Sequence, residues 1–123
     1  MKVLVVDDDA INRLILKKIF ERENDTVFTA KDGEEAINIL NTEENFNVVI
    51  TDIMMPKMDG IQLLAEIKDN ESTSKIPIIG FTAGDISYFK SITTEPFDKL
   101  LPKPMDFYEL YAIAREQAEK CLD

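Results

Sequence analysis

The chain has 123 residues, of which 45% are hydrophobic, and a formal charge of -10 from 24 acidic and 14 basic side chains. This length suits one compact domain, so we expect a single domain over residues 1–123. The acidic balance argues against direct nucleic-acid binding, which needs a basic face, and against anionic membrane surfaces. It is compatible with cations and with basic partner surfaces.

Cysteine and histidine usage excludes two further classes of protein. The single cysteine, Cys121, cannot form a disulfide framework, and a chain without histidine lacks a Cys/His zinc site. No apolar run approaches the roughly 20 residues of a membrane span. The first apolar run, in "MKVLVVDDD", stops at acids too early for a signal peptide. The sequence therefore predicts a cytoplasmic protein.

The chain begins with a predicted strand and helix. Residues 3–6 form a continuous β-branched run, which is typical of a buried parallel strand. Residues 11–23 show helical spacing of their apolar positions. That spacing predicts one helix face made of Ile11, Leu14, Ile15, Ile19 and the stem of Lys18.

A second strand and helix follow directly. Residues 26–30 alternate in the manner of a strand. Asp32 and Glu35 have the spacing of a capping box, which predicts the start of a helix that runs through Leu40.

The middle of the chain repeats this alternation twice. An apolar strand is predicted at 47–51, with Asp52 directly after it, and a helix starts near Gly60. Between them, Met55 and Pro56 break the backbone pattern. A fourth strand is predicted at 76–81 and a weaker helix at 85–93.

The last strand and helix complete the pattern. Leu100 and Leu101 mark a short fifth strand after Pro96, and Asp106 and Glu109 form another predicted capping box. The final helix has an apolar stripe made of Phe107, Leu110, Tyr111, Ala114, Ala118 and Cys121.

Five strands alternating with five helices predict an α/β fold with a parallel sheet covered on both faces. For five strands the flavodoxin-like order 2-1-3-4-5 is common, and it places the first and third strands side by side. Ligands of such folds bind beyond the carboxyl ends of the strands, at this point of the sheet.

Three acids follow the two strands that this order makes neighbours. Asp7 and Asp8 follow the first strand and Asp52 follows the third, so we expect their carboxylates to share one rim of the sheet. Three like charges repel, and a cation relieves that repulsion. Hard oxygen ligands suit Mg²⁺, so the acids predict a magnesium site.

Two further polar residues are expected on the same rim. Thr82 ends the fourth strand in "IIGFTAG", and Lys103 follows the fifth in "LLPKP". A hydroxyl, an ammonium and a cation around a carboxylate can neutralise a transferring phosphoryl group. Asp52 is then the predicted nucleophile, which would form an acyl phosphate.

The chain resembles a response-regulator receiver domain over nearly its whole length. The resemblance rests on the acids of "VVDDD", the block "ITDIMMPKMDG", "FTA" and "KP", in this order and at the ends of elements. It implies that Asp52 accepts phosphate from a phosphohistidine. It also implies that Asp8 binds the metal directly, Asp7 largely through water, and Met54 through its backbone carbonyl.

The resemblance assigns Thr82 and Lys103 as the switch hydroxyl and the phosphate-pairing lysine, and Pro104 as a residue that often follows a cis peptide. Two positions depart from the family pattern. Leu100 stands three residues before the lysine, where an aromatic switch residue is common. Pro96 stands where a glycine is common, which predicts a stiffer loop.

Several neighbouring residues have simpler explanations. Asp9 is expected to be a solvated helix-start residue, and Asp59 with Gly60 a turn before the third helix. The methionines around Pro56, at 54, 55 and 58, are expected to pack within a loop and not to form a soft metal site.

Two other functional classes remain open at this point. The start "VVDDDAI" also fits a haloacid-dehalogenase-like phosphatase, with Asp7 as nucleophile and Asp9 as general acid. That assignment leaves Asp52 without a role, and the family's later acidic motif is missing after Lys103. A pure binding module is disfavoured in both of its forms. A flavin-binding protein needs a phosphate loop after the first strand, where this chain has acids. The intact set of five site residues argues against a receiver-like domain that is never phosphorylated.

We therefore expect a Mg²⁺-dependent signalling phosphoacceptor that catalyses only its own phosphorylation and dephosphorylation. Its expected partners are a histidine kinase or histidine phosphotransfer protein and a downstream protein target. The sequence leaves open whether it is a single-domain regulator, as the start "MKVLVVDDD" suggests, or the receiver part of a hybrid kinase or longer regulator.

Overall fold

A computed structural model describes residues 1–55, 57–84, 86–92, 96–103 and 105–120. Five sequence predictions fall outside this part of the chain: the backbone break at Pro56, the helix ends at Asp85 and Thr93, the peptide before Pro104, and the contribution of Cys121 to the last helix.

The strands form one parallel five-stranded sheet with the order β2-β1-β3-β4-β5. The strands are β1 Lys2–Val6, β2 Thr26–Ala30, β3 Val48–Asp52, β4 Ile78–Thr82 and β5 Lys99–Pro102. This order confirms the prediction and places β1 beside β3.

Five helices connect and follow the strands. They are α1 Ala10–Arg22, α2 Gly33–Thr42, α3 Gly60–Asp69, α4 Ile86–Ile92 and α5 Phe107–Lys120. Strand and helix therefore alternate through the described part of the chain, as the hydrophobic pattern indicates.

Two strands end later than their apolar runs suggest. β3 includes Asp52, which is in register with Phe81, and β4 runs to Thr82, which is in register with Pro102. The ladder continues through these polar residues because their backbones keep pairing: the Lys103 amide donates to the Thr82 carbonyl at 2.8 Å. Both functional candidates are thus held by the sheet itself.

The sheet separates two apolar cores. Alternate residues of each central strand face opposite sides, which is why Val3 and Val5 belong to one core and Leu4 and Val6 to the other. The first core is completed by residues of α1 and α5, the second by residues of α2 and α3. Because β1 and β3 are buried on both faces, they hold the residues at their carboxyl ends in fixed positions.

The predicted apolar face of α1 is confirmed for Ile19 and wrong for its other apolar residues. The helix buries Leu16, Ile19 and Phe20, whereas Ile11, Leu14 and Ile15 are 67%, 53% and 41% exposed. The helix carries two apolar stripes, and the one that includes the large ring of Phe20 buries more apolar surface against the sheet and α5. The other stripe is left on the outside.

The helix starts agree only partly with the predicted caps. The Asp32 carboxylate accepts the Glu35 amide at 2.8 Å, but Glu35 turns to the Lys31 amide, so the predicted box is half formed. Asp106 accepts the Tyr108 amide at 2.8 Å, two residues on instead of three.

A complete capping box occurs where the sequence suggested a turn. Asp59 is the N-cap of α3, and its carboxylate and the Gln62 amide group each accept the other residue's backbone N–H. Gln62 occupies the third helical position, where glutamine serves as the reciprocal acceptor of a capping box as glutamate does.

Candidate metal centre

The carboxyl ends of β1 and β3 bring together three carboxylates that are far apart in the sequence. Asp7, Asp8 and Asp52 each offer an oxygen atom, and these atoms all lie within 4.8 Å of one another. Because β1 and β3 are neighbours and both are buried on two faces, the separation is fixed by the sheet.

Asp7 is fully buried, and each of its carboxylate oxygens accepts one hydrogen bond. Oδ1 accepts the Asp9 amide at 2.9 Å, and Oδ2 accepts the Asn12 side-chain amide at 3.2 Å. Burial raises the pKa of Asp7 above its ordinary value, against the smaller lowering effects of the Asp9 amide and Lys103. The ionised carboxylate is therefore costly here until a cation is present.

Asp8 differs from its neighbour in both exposure and bonding. Its side chain is exposed and, within the described part of the chain, has neither a hydrogen-bond nor an ion-pair partner. Its oxygens are thus available as direct ligands, whereas those of Asp7 are already engaged.

Asp52 is 5% exposed and is held from two sides. Its Oδ1 accepts the Met54 amide at 3.2 Å, and its Oδ2 accepts the Lys103 ammonium at 2.8 Å. Behind it, α3 begins so close that a Cβ on Gly60 would lie 2.6 Å from the Asp52 carbonyl oxygen. The phosphoacceptor candidate therefore has little freedom to move.

Lys103 and Thr82 lie on the same rim, as expected. The Lys103 ammonium lies 4.6 Å from the centre of the Phe81 ring, so the ring and the Asp52 carboxylate fix its position together. Thr82 is 1% exposed, and its hydroxyl accepts the Gly84 amide at 3.0 Å. A hydroxyl and an ammonium thus flank the end of β4.

The methionine loop is only partly a packing element. Met55 and Met58 pack against the core under α2 and α3, which confirms that part of the prediction. Met54 is 60% exposed and contributes its backbone amide to Asp52. That its carbonyl binds the metal stays a prediction.

The region of the expected aromatic switch is built differently. Leu100 is half-buried on β5, and the Phe97 ring packs over Gly80, where an added Cβ would lie 2.9 Å from the ring. Phe97, the aromatic residue just before this strand, therefore packs against the core under α2 and α3. Position 100, where an aromatic switch residue is common in the family, is leucine.

The structure disfavours the phosphatase alternative. Asp9, its general acid, is the N-cap of α1 and accepts the Ile11 amide at 2.9 Å, which confirms the simpler explanation of this residue. Asp7, its nucleophile, is buried with both oxygens engaged. The lysine that would assist a nucleophile contacts Asp52 and not Asp7, with Lys103 Nζ 2.8 Å from Asp52 Oδ2.

Three residues that shape the site are not evident from the sequence motifs. Asn12 and Arg13 reach back from the first turn of α1 to Asp7, the latter to its carbonyl oxygen at 2.7 Å. Phe81 supports Lys103 from β4. Asn12 could have been found from its place three residues after the N-cap Asp9, where side chains often reach back across the helix start.

The chemistry of the rim fits a divalent cation. All of its acidic ligands are hard oxygens, which suit Mg²⁺, and two of the three are buried. Lys103 supplies one positive charge against the three negative charges of the ionised carboxylates. A net negative charge therefore remains, which a cation can neutralise.

Comparison with known proteins agrees with this geometry. Residues 3–115 match the model of the response regulator receiver domain family. The chain belongs to this family. Receiver domains are the phosphoacceptor parts of two-component signalling systems, they interact with histidine kinases, and they bind Mg²⁺ at an acidic cluster.

Curated relatives extend beyond the matched region. The chain is 35% identical over 115 residues to the transcriptional regulatory protein CpxR of Escherichia coli, covering 93% of this chain and 47% of that protein. It is 42% identical over 82 residues to ResD of Bacillus subtilis, covering 67% of this chain and 32% of that protein. It thus spans less than half the length of these relatives. Because both are named transcriptional regulators, the expected lack of nucleic-acid contact stays a prediction.

Solved structures share the fold over nearly the whole chain. The receiver domain of the Francisella response regulator 1452 superposes with a TM-score of 0.84 at 32% identity, covering 97% of both chains. The Thermotoga maritima response regulator TrrA, solved in complex with Mg²⁺-BeF, gives a TM-score of 0.81 at 30% identity, and the match covers 94% of this chain and 97% of that chain.

Within the described residues, no helix has the length and apolar character needed to cross a membrane.

Proposed function

We propose that Asp52 accepts a phosphoryl group from a phosphohistidine in a Mg²⁺-dependent reaction. The observation that carries this proposal is the position of the Asp52 carboxylate, within 4.8 Å of oxygens of Asp7 and Asp8 and 2.8 Å from the Lys103 ammonium. A carboxylate with a cation site on one side and a lysine on the other suits an incoming phosphoryl group.

Each residue has a distinct part in the transfer. An Asp52 oxygen forms the new P–O bond while the P–N bond of the phosphohistidine breaks and its electron pair leaves with the imidazole. Lys103 and the Thr82 hydroxyl pair with phosphoryl oxygens. Mg²⁺, held by Asp8, Asp52, the Met54 carbonyl and, through water, Asp7, would neutralise charge on the phosphoryl group. The protein contributes positioning and charge neutralisation.

The proposed signal is a population shift. A phosphoryl group on Asp52 would draw Lys103 and Thr82 toward it, since both lie on adjoining strand ends. The surface formed by α4, β5 and α5 would change as a result. With Leu100 in place of an aromatic residue, this change would not use an aromatic rotamer.

We propose that the phosphodonor docks on α1, next to the site. Ile11, Leu14 and Ile15 form an exposed apolar stripe on α1, which begins three residues after Asp7. Such a stripe fits an apolar helix face of a histidine kinase or histidine phosphotransfer protein. These two proteins are the proposed donors, and a downstream protein is the proposed target.

The remaining expectations rest on the family alone. The proposal includes a cytoplasmic location and a signalling role without turnover of a separate substrate. It is compatible with a single-domain regulator, with the receiver part of a hybrid kinase and with the receiver part of a longer regulator.

The test is the intact mass of the protein after incubation with acetyl phosphate. Wild type should gain one phosphoryl group with Mg²⁺ and none with a chelator, and Asp52→Asn should gain none. Asp59→Asn is a matched control, because Asp59 caps α3 and asparagine also caps well. Equal labelling of wild type and Asp52→Asn, or labelling without any divalent cation, would contradict the proposal.

The docking face needs a separate experiment with a phosphorylated histidine kinase. Replacing Leu14 and Ile15 by serine should slow transfer from the kinase about 10-fold or more, since buried apolar anchors dominate such interfaces. Labelling by acetyl phosphate should stay unchanged, because it needs no docking. Unchanged transfer from the kinase would refute the docking face and leave the role of Asp52 intact.

A further inference from the structure

Asp7 is held through both its backbone and its carboxylate. Its backbone N–H donates to the Ala30 carbonyl at 3.0 Å, and its carbonyl oxygen accepts Arg13 Nη1 at 2.7 Å. Its carboxylate accepts the Asp9 amide and Asn12 Nδ2. The backbone contacts fix where Asp7 lies, whereas only the last two fix how its carboxylate is turned.

Asn12 is the only side chain among the described residues that donates to the Asp7 carboxylate. Its Nδ2 lies 3.2 Å from Oδ2, and the Asn12 side chain is half-buried beside the acids. A carboxylate only accepts hydrogen bonds, so the amide must present its nitrogen. Without this bond Oδ2 would be a buried oxygen without a protein donor, in a carboxylate that lies close to those of Asp8 and Asp52.

The start of α1 already holds Asn12 in place, so its contact with Asp7 costs little conformational entropy. Asn12 is the third residue of α1, and its own backbone amide lies 3.4 Å from the N-cap carboxylate of Asp9. The start of the helix thus fixes both donors to Asp7, the Asp9 amide on one oxygen and the Asn12 side chain on the other. The start of α1 therefore restricts the orientation of the buried Asp7 carboxylate.

We propose that Asn12 is a positioning residue for the divalent cation: it orients the Asp7 carboxylate so that this acid can hold the ion through water. This inference rests on the proposed function and deepens it. Asn12 does not touch the ion or the phosphoryl group in this account. It acts through Asp7, as groups behind metal ligands commonly do.

Two variants and one control test the proposal by calorimetric titration with MgCl₂. Asn12→Ala removes the side chain, and Asn12→Leu keeps its approximate volume without a donor. Asn38→Ala removes an exposed asparagine from α2 and serves as the control. The Mg²⁺ dissociation constant should rise about 10-fold in both Asn12 variants and stay within about twofold of wild type in Asn38→Ala.

Thermal unfolding without Mg²⁺ separates positioning from a merely structural role. The metal-free midpoints of both Asn12 variants should stay within a few degrees of wild type, since alanine and leucine favour helix and offset the lost hydrogen bond. A large fall in these midpoints, or unchanged Mg²⁺ affinity in either variant, overturns the proposal. If wild type itself binds no Mg²⁺, the proposed function fails first, so the two failures are distinguishable.

Discussion

Asp7 shows how one buried carboxylate links stability to the cation. Its pKa is raised above the ordinary value, mainly by burial, and the nearby Asp52 charge raises it further. A raised folded-state pKa means that the neutral acid favours folding below the unfolded pKa. This contribution is lost as the pH rises through the folded pKa. At neutral pH the ionised acid therefore weakens the metal-free protein.

Asp7→Asn should make the metal-free protein more stable at neutral pH, by about 1 kcal/mol, because it removes one of three crowded charges. Asparagine can still accept the Asp9 amide. The gain should shrink toward acid pH, where Asp7 of wild type is protonated. Thermal unfolding with a chelator between neutral and acid pH measures this difference. A gain that stays constant over this range would show that the charge of Asp7 is not the cause.

Gly60 sets the position of Asp52 from behind. A Cβ at Gly60 would lie 2.6 Å from the Asp52 carbonyl oxygen and 2.7 Å from the Ile53 Cα, both backbone atoms. Gly60→Ala should therefore destabilise the protein by about 2 kcal/mol and slow labelling by acetyl phosphate. Gly84→Ala is a useful contrast, because a Cβ there meets only side-chain atoms of Phe89 and Met54. Equal stability of the two variants in denaturant unfolding would contradict the backbone clash.

For single residues, the sequence was sufficient to predict the candidate site residues, because each has a characteristic side chain and lies at the end of a predicted strand. Asp7, Asp8, Asp52, Thr82 and Lys103 were predicted because each follows or ends an apolar strand, and the sheet order brings those ends together. The supporting contacts were not predictable in the same way. Contacts of Asn12 with Asp7, and of Phe81 with Lys103, depend on side-chain direction across separate elements.

At the element scale, α4 differs from the other helices. None of its described residues is buried, whereas α3 buries Gly60, Leu63, Leu64 and Ile67. A helix held by little buried apolar surface opens at low free-energy cost. It lies between β4, which ends at Thr82, and β5, which precedes Lys103. α4 is thus placed to respond when these two residues move.

Backbone amides of α4 should exchange with solvent at least about 10-fold faster than those of α3, measured by hydrogen–deuterium exchange of the metal-free protein. Addition of Mg²⁺ with beryllium fluoride, an analogue of the aspartyl phosphate, should change exchange in α4 and β5 and leave α2 unchanged. Equal protection of α3 and α4, or a response confined to α2, would refute this view of the switch.

The buried face of α1 was the least predictable feature at this scale, whereas the core of the α5 stripe was predicted correctly. Apolar spacing correctly located α1, but the helix offers two apolar stripes, and the packing of Phe20 on Tyr111 of α5 decides which one is buried. Spacing within one helix cannot reveal a contact with a helix 80 or more residues later, as the wide separation of these two residues in the sequence shows. The exposed stripe became informative only once the fold was known.

At the scale of the whole molecule, topology followed from the alternation of strands and helices. Right-handed crossovers and five parallel strands leave few arrangements, and the observed order is the one expected. This order carries the functional argument, since it makes β1 and β3 neighbours and so creates the acidic rim. A different order of the same strands would separate Asp52 from Asp7 and Asp8.

We expect the acids of the rim to hold one divalent cation beside Asp52 and Lys103. Crystals grown with Mn²⁺ in place of Mg²⁺ test it directly, because the anomalous signal locates the metal without reference to the protein atoms. We predict one strong peak within about 2.0–2.3 Å of carboxylate oxygens of both Asp8 and Asp52. A well-ordered site without that peak, or a peak that is coordinated elsewhere on the molecule, would contradict the account.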